Sequence, residues 1–519
     1  VGPERAAWAP GALRGTASAP VPLALPAPGH PRAHAACAGA CAAAVTGAWA
    51  LRRLQGRRRR AATARRGAPQ EVLVIGGGLG GLNTALRLAE MPWPSAGSRQ
   101  PPRITLVEPK ERFVFLPLLI DYAVGGEVEL DEFAPEYQEL IRHAEADRAR
   151  VPQLPGTGPA TLSYVQGSAR AVDWRRRRAV LSDASGEEQN FGFEATVVSP
   201  GPLAKPDARE IPGLAAAVEA GTAQAFVSLS DAEVLRARLA AGGLTSVAVV
   251  GAGYIGVELA AALAEECSGR VALFGASLLR GSEPANVRRA EERLEALGVL
   301  RQRGRVVAVD EGSVSWKPAG AAGELERYEC DLVLVTGAAA ESLADPGLRP
   351  QLDFGKDSLG EDGRVQVDSF MRAAPGVYCI GDAAAGVAAT GQAAMQQAEV
   401  ASWNAFAQCA GLPRAAWRRY APSALGEYIA LGRDTAAAVV DAAQLGKLLP
   451  TALPPAAAAV VNPVVGRASS GSSKVDLGGR AAALLRRLSY LYRMPTLGHR
   501  AWVAQQWAAR AKEGATLPA

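Results

Sequence analysis

Two glycine clusters carry the residue types and spacing that hold phosphates. Gly76, Gly78 and Gly81 follow the order G-x-G-x-x-G, and Gly251, Gly253 and Gly256 repeat it. In each case an apolar run precedes the glycines (Val72 to Ile75; Val247 to Val250) and a helix-period run follows them. Glycines at these spacings turn the chain tightly and let the backbone approach a pyrophosphate. Its charge then lies against the free N–H groups and positive dipole end of the next helix. After the first cluster a strand, Ile104 to Val107, ends in Glu108, placed to accept hydrogen bonds from ribose hydroxyls. The spacing to Glu108 exceeds the usual roughly 20 residues, and Met91 to Arg103 reads as a surface loop that absorbs the excess.

These clusters need strand–turn–helix units to position them, and the chain between them supplies the framework. Residues 161–201 read as a three-stranded meander, SYVQGSARAVDW, RAVLSD and FEATVVSPG, with Gly201 ending an apolar run as a second backbone approach to a cofactor requires. Residues 331–337 and 377–382 read as strands returning to complete the first domain. The expected fold class is therefore α/β, with two Rossmann-like domains, the second inserted in the first. The expected organisation is 69–204 with 330–435 for the first, discontinuous domain, and 205–329 for the second. Residues 436–479, rich in Ala, Pro, Gly and Ser, read as a linker or insert; Pro450, Pro454, Pro455 and Pro463 exclude a long helix there.

Composition separates the ends from the body. The chain has 519 residues and a net charge of +5, enough for two or three domains. Residues 1–68 hold eleven Arg, no Lys and one acid, Glu4, the composition of an organelle transit segment. Removing that segment (+10) and residues 480–519 (+6) leaves a body of charge −11. An acidic body excludes nucleic-acid binding, while a basic tail suits an anionic membrane surface. In that tail Leu484, Leu485, Leu488, Leu491 and Tyr492 share one helical face and Arg486, Arg487 and Arg493 another. Trp502 and Trp507 follow on a second helix. A helix lying in the membrane surface and a helix packed on the body or on a partner in a homodimer both fit this pattern. Six cysteines include no C-x-x-C or C-x4-C, which disfavours a disulfide framework, a metal site and a redox dithiol.

In order, GGGLGG, ERFVFLPLL with GGEVEL, GAGYIGVELA, DLVLVTGA, CIGDAA, TGQAAMQQA, LGEYIALGR and YLYRMPTLGHRAW resemble the type II NAD(P)H:quinone oxidoreductases, in particular the C class of plant and algal plastids. The resemblance covers about residues 70 to 435 and 480 to 507. It implies a single-subunit FAD enzyme held peripherally on a chloroplast membrane or plastoglobule, with the mitochondrion an alternative. Such an enzyme passes two electrons from NADPH or NADH to a membrane quinone without pumping protons. It also implies that Gly76, Gly78 and Gly81 hold the FAD pyrophosphate and Glu108 its ribose, with Gly201, Gly381 and Asp382 along the rest of the flavin cofactor. Gly251, Gly253 and Gly256 would hold the nicotinamide dinucleotide, Glu258 would lie near the nicotinamide, and Gln392 and Gln396 would line the quinone pocket. Members of the family often have Lys where Leu116 stands, so any contact made by that Lys is absent.

The second glycine unit bears on the donor. An NADH site normally ends the following strand in an acid that repels a 2′-phosphate, yet here Phe274-Gly275-Ala276-Ser277 contains none. Ser277 and Arg280, just beyond, offer a hydroxyl and a guanidinium to that phosphate, so NADPH is favoured. The alternatives are a sulfide:quinone or ferredoxin reductase, the former requiring Cys330 and Cys379 to converge at the flavin, and a non-catalytic dinucleotide-binding subunit.

Overall fold

A computed structural model describes residues 70–95, 100–183, 185–202, 211–320, 324–337, 359–423, 426–441 and 474–516. The arginine-rich segment 1–68 and the stretch with Pro450 to Pro463 lie outside the described residues.

The strand Glu71–Ile75 is buried along Val72 to Ile75 and pairs in parallel on both sides, with Arg103–Glu108 and with Ala195–Val198. A strand covered on both faces needs a continuous apolar run, which EVLVI provides. At its end the chain turns at Gly76 (φ +94°), where an added Cβ would lie 2.2 Å from Ser199 O, and enters helix α1, Leu79–Glu90. A Cβ on Gly81 would lie 1.7 Å from Gly76 O, so the helix can sit against the turn only with glycine there. Among the described residues eight strands make up this sheet. The meander differs from expectation: its third strand is Glu188–Gly192, while Ala195–Val198 leaves it to become the parallel neighbour of the first strand. Met91 to Arg103 is also not wholly a surface loop. Trp93 is buried, donates from Nε1 to Leu88 O at 2.8 Å and meets Phe406 edge-on.

In the second, five-stranded sheet Ser246–Val250 lies between Arg270–Phe274 and Leu332–Val335, and leads into helix α2, Tyr254–Glu266. The expectation that 331–337 returns to the first sheet is thus corrected: Leu332 to Val335 pair with Val247 to Val250. Among the described residues after Val335, Arg372–Ala374 and Val377–Cys379 are the strands that rejoin the first sheet, beside Ala195–Val198, so the boundary expected at 330 moves past Val335. LVLV is buried on both faces and carries no facial pattern, so its residues are equally suited to either sheet.

Helix α3, Gly391–Ala410, packs across α1. Beyond it, residues 436–441 and 474–479 of the expected linker or insert are strand or helix, while 442–473 lie outside the described residues. Ala436–Asp441 pairs with Glu427–Ala430 and with Lys474–Gly478 in a three-stranded antiparallel sheet. Helix α4, Gly479–Arg493, and helix α5, Leu497–Thr516, complete the described chain. The tail is docked, and the face it buries is not the expected one. Ala482, Leu485, Arg486, Ser489 and Tyr490 are buried, whereas Leu484, Leu488, Leu491 and Tyr492 are half-buried. Among the described residues no helix is long and apolar enough to cross a membrane.

Candidate functional site

A cavity of about 2420 Å³ runs between the two sheets and on to α4. Its wall includes Gly76, Gly78, Glu108, Gly201 and Asp382 from the first unit, and Tyr254, Ile255 and Glu258 from the second. Gln392 and Tyr490 line the same cavity.

At the first glycine turn the Glu108 carboxylate accepts from Gly77 N at 2.7 Å and from Lys110 N at 3.2 Å. Tyr137 Oη donates to Gly77 O at 2.9 Å and braces the turn from the other side. Gly78 faces open space: a Cβ there would meet nothing within 4 Å. Free space beside a helix N-terminus, with a carboxylate at the adjacent strand end, fits the pyrophosphate and ribose of a dinucleotide. Gly381 N donates to Gln397 Oε1 at 2.7 Å, which fixes the turn that presents Asp382. Burial pushes the Asp382 carboxyl up, against the opposing pull of Arg364.

The second turn repeats the first. A Cβ on Gly256 would lie 1.8 Å from Gly251 O, and Gly253 again has nothing within 4 Å. The same test fits a second dinucleotide. Gly275 has a steric reason to lack an acid: its Cβ would lie 2.5 Å from Ala252 Cβ. Ser277 and Arg280 are exposed beyond this turn and are not part of the cavity wall.

The two glutamines part company. Gln392 lines the cavity and its Nε2 is buried without a partner among the described residues. Gln396 is turned away, donating to Ser423 O at 2.6 Å and accepting from Ser423 N at 3.1 Å. Arg493, on α4, also lines the cavity with a buried Nη2 that lacks a hydrogen-bond partner, its guanidinium 6.0 Å from the Tyr428 ring centre. A buried N–H left unpaired is costly, and each of these two N–H groups belongs to a residue of the cavity wall.

Glu258, on α2, accepts from Ala430 N at 2.8 Å. Burial raises its carboxyl from the ordinary 4.5 to about 7, opposed by Arg486 and the Ala430 N–H and assisted by Asp121. The side-chain surface it retains opens into cavities. Arg486 is itself buried and donates to Asp121 at 2.6 and 3.0 Å and to Pro117 O at 3.1 Å. Its guanidinium lies 4.9 Å from the Tyr490 ring centre. Burial, the largest single influence, would lower the Arg486 pKa, but the charge and hydrogen bonds of Asp121 together with Tyr490 and Glu258 outweigh it and hold the guanidinium charged.

Tyr137, Gln397, Asp121, Arg486 and Arg493 did not stand out in the sequence as site residues. Gln397 had a signal, since it falls on the same helical face as Ala393, Ala394 and Ala401, all buried. Asp121 and Arg486 are 365 positions apart, and no local pattern links them.

Two strand–glycine–helix units opening into one cavity define a reductase that holds two dinucleotides. A family model for the pyridine nucleotide-disulphide oxidoreductases matches residues 70–404, and the chain belongs to that family. It is 29% identical over 461 residues to the demethylphylloquinone reductase NdbB of Synechocystis sp., covering 85% of this chain and 96% of that one. It is also 29% identical to the alternative NAD(P)H-ubiquinone oxidoreductase C1, chloroplastic/mitochondrial, of Arabidopsis thaliana, covering 85% and 80% of the two chains. Among solved structures, NDH2 of Plasmodium falciparum in complex with NADH superposes with a TM-score of 0.62 at 14% identity, over 85% of this chain and 98% of that one. The sulfide:quinone oxidoreductase of Aquifex aeolicus gives 0.56 at 15%, over 82% and 92%. These two establish a shared fold.

Proposed function

We propose that this protein is a type II NAD(P)H:quinone oxidoreductase that transfers two electrons from NAD(P)H through FAD to a membrane quinone. The observation that carries the reading is the single cavity whose wall joins Gly76 and Gly78 of the first turn and Tyr254, Ile255 and Glu258 at the start of α2 to Gln392 and Arg493, while Gly251, Gly253 and Gly256 lie behind that wall. The Synechocystis relative is named a demethylphylloquinone reductase and the Arabidopsis relative an NAD(P)H-ubiquinone oxidoreductase, and both names support a quinone acceptor.

Gly76, Gly78, Gly81 and Glu108 would hold the FAD pyrophosphate and ribose, with Gly201, Gly381 and Asp382 beside the rest of that cofactor. Gly251, Gly253 and Gly256 would hold the NAD(P)H pyrophosphate. When bound, FAD supplies the hydride-accepting and electron-donating chemistry. The chain's part is to fix the geometry and exclude water, which makes transfer within the cavity effectively intramolecular. Gln392 Nε2 and Arg493 Nη2 orient the acceptor oxygens, and Glu258 holds a proton on its carboxyl near neutral pH. NADPH is the favoured donor because the Phe274 to Ser277 turn offers no carboxylate to a 2′-phosphate, and Ser277 and Arg280 lie open beside it. A plastid membrane surface is the proposed location, with α5 presenting Leu497 and Trp502, 65% and 38% exposed, to lipid.

Purified protein should be yellow, bleach anaerobically with NADPH and recover its colour on addition of a short-chain quinone. Protein that binds no flavin, or whose bleached form ignores quinone, refutes the assignment. A sulfide enzyme is opposed by the cysteines: Cys330 and Cys379 are buried, neither lines the cavity, and burial raises the thiols to about 11 and 12.

A further inference from the structure

The strand Leu300–Gln302 runs in parallel beside Arg270–Phe274 in the second sheet. Past their ends the two chains stay joined: Gly275 N donates to Gln302 O at 3.2 Å, and Gly304 N donates to Gly275 O at 3.4 Å. Arg303 lies between those two bonds and is therefore held beside the turn 274–277, which carries no acid. Arg301 pairs in register with Leu273, which puts it on the face of the sheet that Leu273 shares with Leu259 and Leu263 of α2. Residues 275–283 cross that same side, with Leu278 and Leu279 buried there and Leu279 N donating to Ala252 O of the glycine turn at 2.8 Å.

The charges at this corner are out of balance. Arg301 is half-buried, and its Nη1 is buried without a hydrogen-bond partner among the described residues. Burial lowers its pKa, the neighbouring Arg303 lowers it further, and Glu291 opposes both. Glu291, on the helix Pro284–Ala296, is 3.4 Å from Arg303 Nη2, with the two side chains 47% and 68% exposed. With one carboxylate shared between them, the two guanidinium groups keep an excess of positive charge.

We propose that Arg301 and Arg303 complete a site for the 2′-phosphate of NADPH, closing from the edge strand the corner that Ser277 and Arg280 open. The site rests on the reading that the second glycine unit holds NAD(P)H. In such a unit the pyrophosphate sits at the helix N-terminus and the adenosine ribose reaches the end of the next strand. Here those are the start of α2 and the end of Arg270–Phe274. Arg303, exposed, donates to the phosphate oxygens, and Arg301 behind it adds charge and an N–H that has no partner in the protein. Guanidinium forks match phosphate oxygens in geometry as well as charge. The chain thus departs from an NADH site twice: the acid is missing at 274–277, and two arginines from the neighbouring strand stand beside the gap.

Two nucleotides separate the phosphate from the rest of the donor: 2′,5′-ADP carries it and 5′-AMP does not. By calorimetry on the FAD-loaded enzyme, the parent should bind 2′,5′-ADP about tenfold or more tightly than 5′-AMP. Arg301→Gln and Arg303→Gln should each weaken 2′,5′-ADP by about tenfold to a hundredfold, the loss of a hydrogen-bonding group paired with a charge, and leave 5′-AMP as it was. Arg303→Lys should recover part of the loss. Glu291→Gln releases Arg303 from its carboxylate and should tighten 2′,5′-ADP by about twofold to fivefold, a gain that misfolding cannot produce. That gain should vanish in Glu291→Gln/Arg303→Gln. If a Gln variant loses both nucleotides together, the Glu291→Gln result decides, and no gain there overturns the site. A parent preference for 2′,5′-ADP that Arg280→Ala abolishes and neither Gln variant alters overturns the part of Arg301 and Arg303 alone. Equal binding of the two nucleotides by the parent overturns the NADPH preference with it. A parent that binds neither overturns the dinucleotide reading of the second glycine unit.

Discussion

Replacing Arg486 with Met tests whether the tail is part of the catalytic body. The guanidinium is 5% exposed and its partner Asp121 11%, and the pair is closed by bonds of 2.6 and 3.0 Å. Removing one member of such a pair leaves the other charge buried, a cost of about 3 to 5 kcal/mol. The lost bond to the Pro117 carbonyl adds about 1 kcal/mol. A cost of about 4 kcal/mol lowers the ratio of docked to undocked α4 roughly a thousandfold. Hydrogen exchange should therefore accelerate across Gly479–Arg493 in Arg486→Met, while Glu71–Ile75 at the centre of the first sheet stays protected. Because Tyr490 and Arg493 leave the cavity with the helix, quinone reduction should fall and bleaching by NADPH persist. The double variant Arg486→Met with Asp121→Leu should recover most of the stability, since an apolar pair of similar volume replaces the ions. Strictly additive losses in the two single variants and the double variant would refute this reasoning.

The docked tail changes what its removal should do. Ending the chain at Gly479 exposes the α4 side of the cavity and should impair soluble quinones as well as long-chain ones, measured side by side in detergent and in vesicles. Most tail arginines point inward, Arg487 to Glu127, Arg510 to Glu132 and Arg500 to Met494 O. Vesicle binding should accordingly drop more in Leu497→Gln/Trp502→Gln than on raising salt; a dominant salt effect would show that basic charge carries the attachment. For the donor, Ala276→Asp should shift kcat/KM from NADPH toward NADH, with two charges about 4 Å apart repelling by roughly 1 to 4 kcal/mol. Arg280→Ala should weaken NADPH alone, and steady-state rates with both donors decide it. Gly275→Asp does not serve, because its Cβ would clash with Ala252. Finally, Glu258 has a folded pKa raised from 4.5 to about 7, so the protonated form stabilises the fold below pH 4.5 and that contribution is lost as pH rises to 7. Glu258→Gln should gain up to about 3 kcal/mol relative to the parent between pH 5 and pH 8 in denaturant titrations; an unchanged difference would show that burial does not perturb the carboxyl.

Sequence alone determined both dinucleotide turns, because their constraints are local. A backbone that must turn tightly against the next helix admits only glycine at Gly76, Gly81, Gly251 and Gly256, and the apolar runs before them report strands covered on both faces. The missing acid after Phe274 was legible for the same reason. Sheet membership of Leu332–Val335 was not, since a run buried on both faces has no facial pattern and hydrogen-bond register alone places it. The tail shows the limit most clearly. An Arg among leucines reads as the polar face of a membrane helix until Asp121, 365 residues away, makes burial of its charge affordable. The family resemblance likewise paired Gln392 with Gln396, one helical turn apart, and the hydrogen bonds of Gln396 to Ser423 turn it away from the cavity that Gln392 lines. Tertiary structure decided which polar groups face the cavity, because burial of a charge or an amide depends on a partner that the neighbouring sequence does not contain.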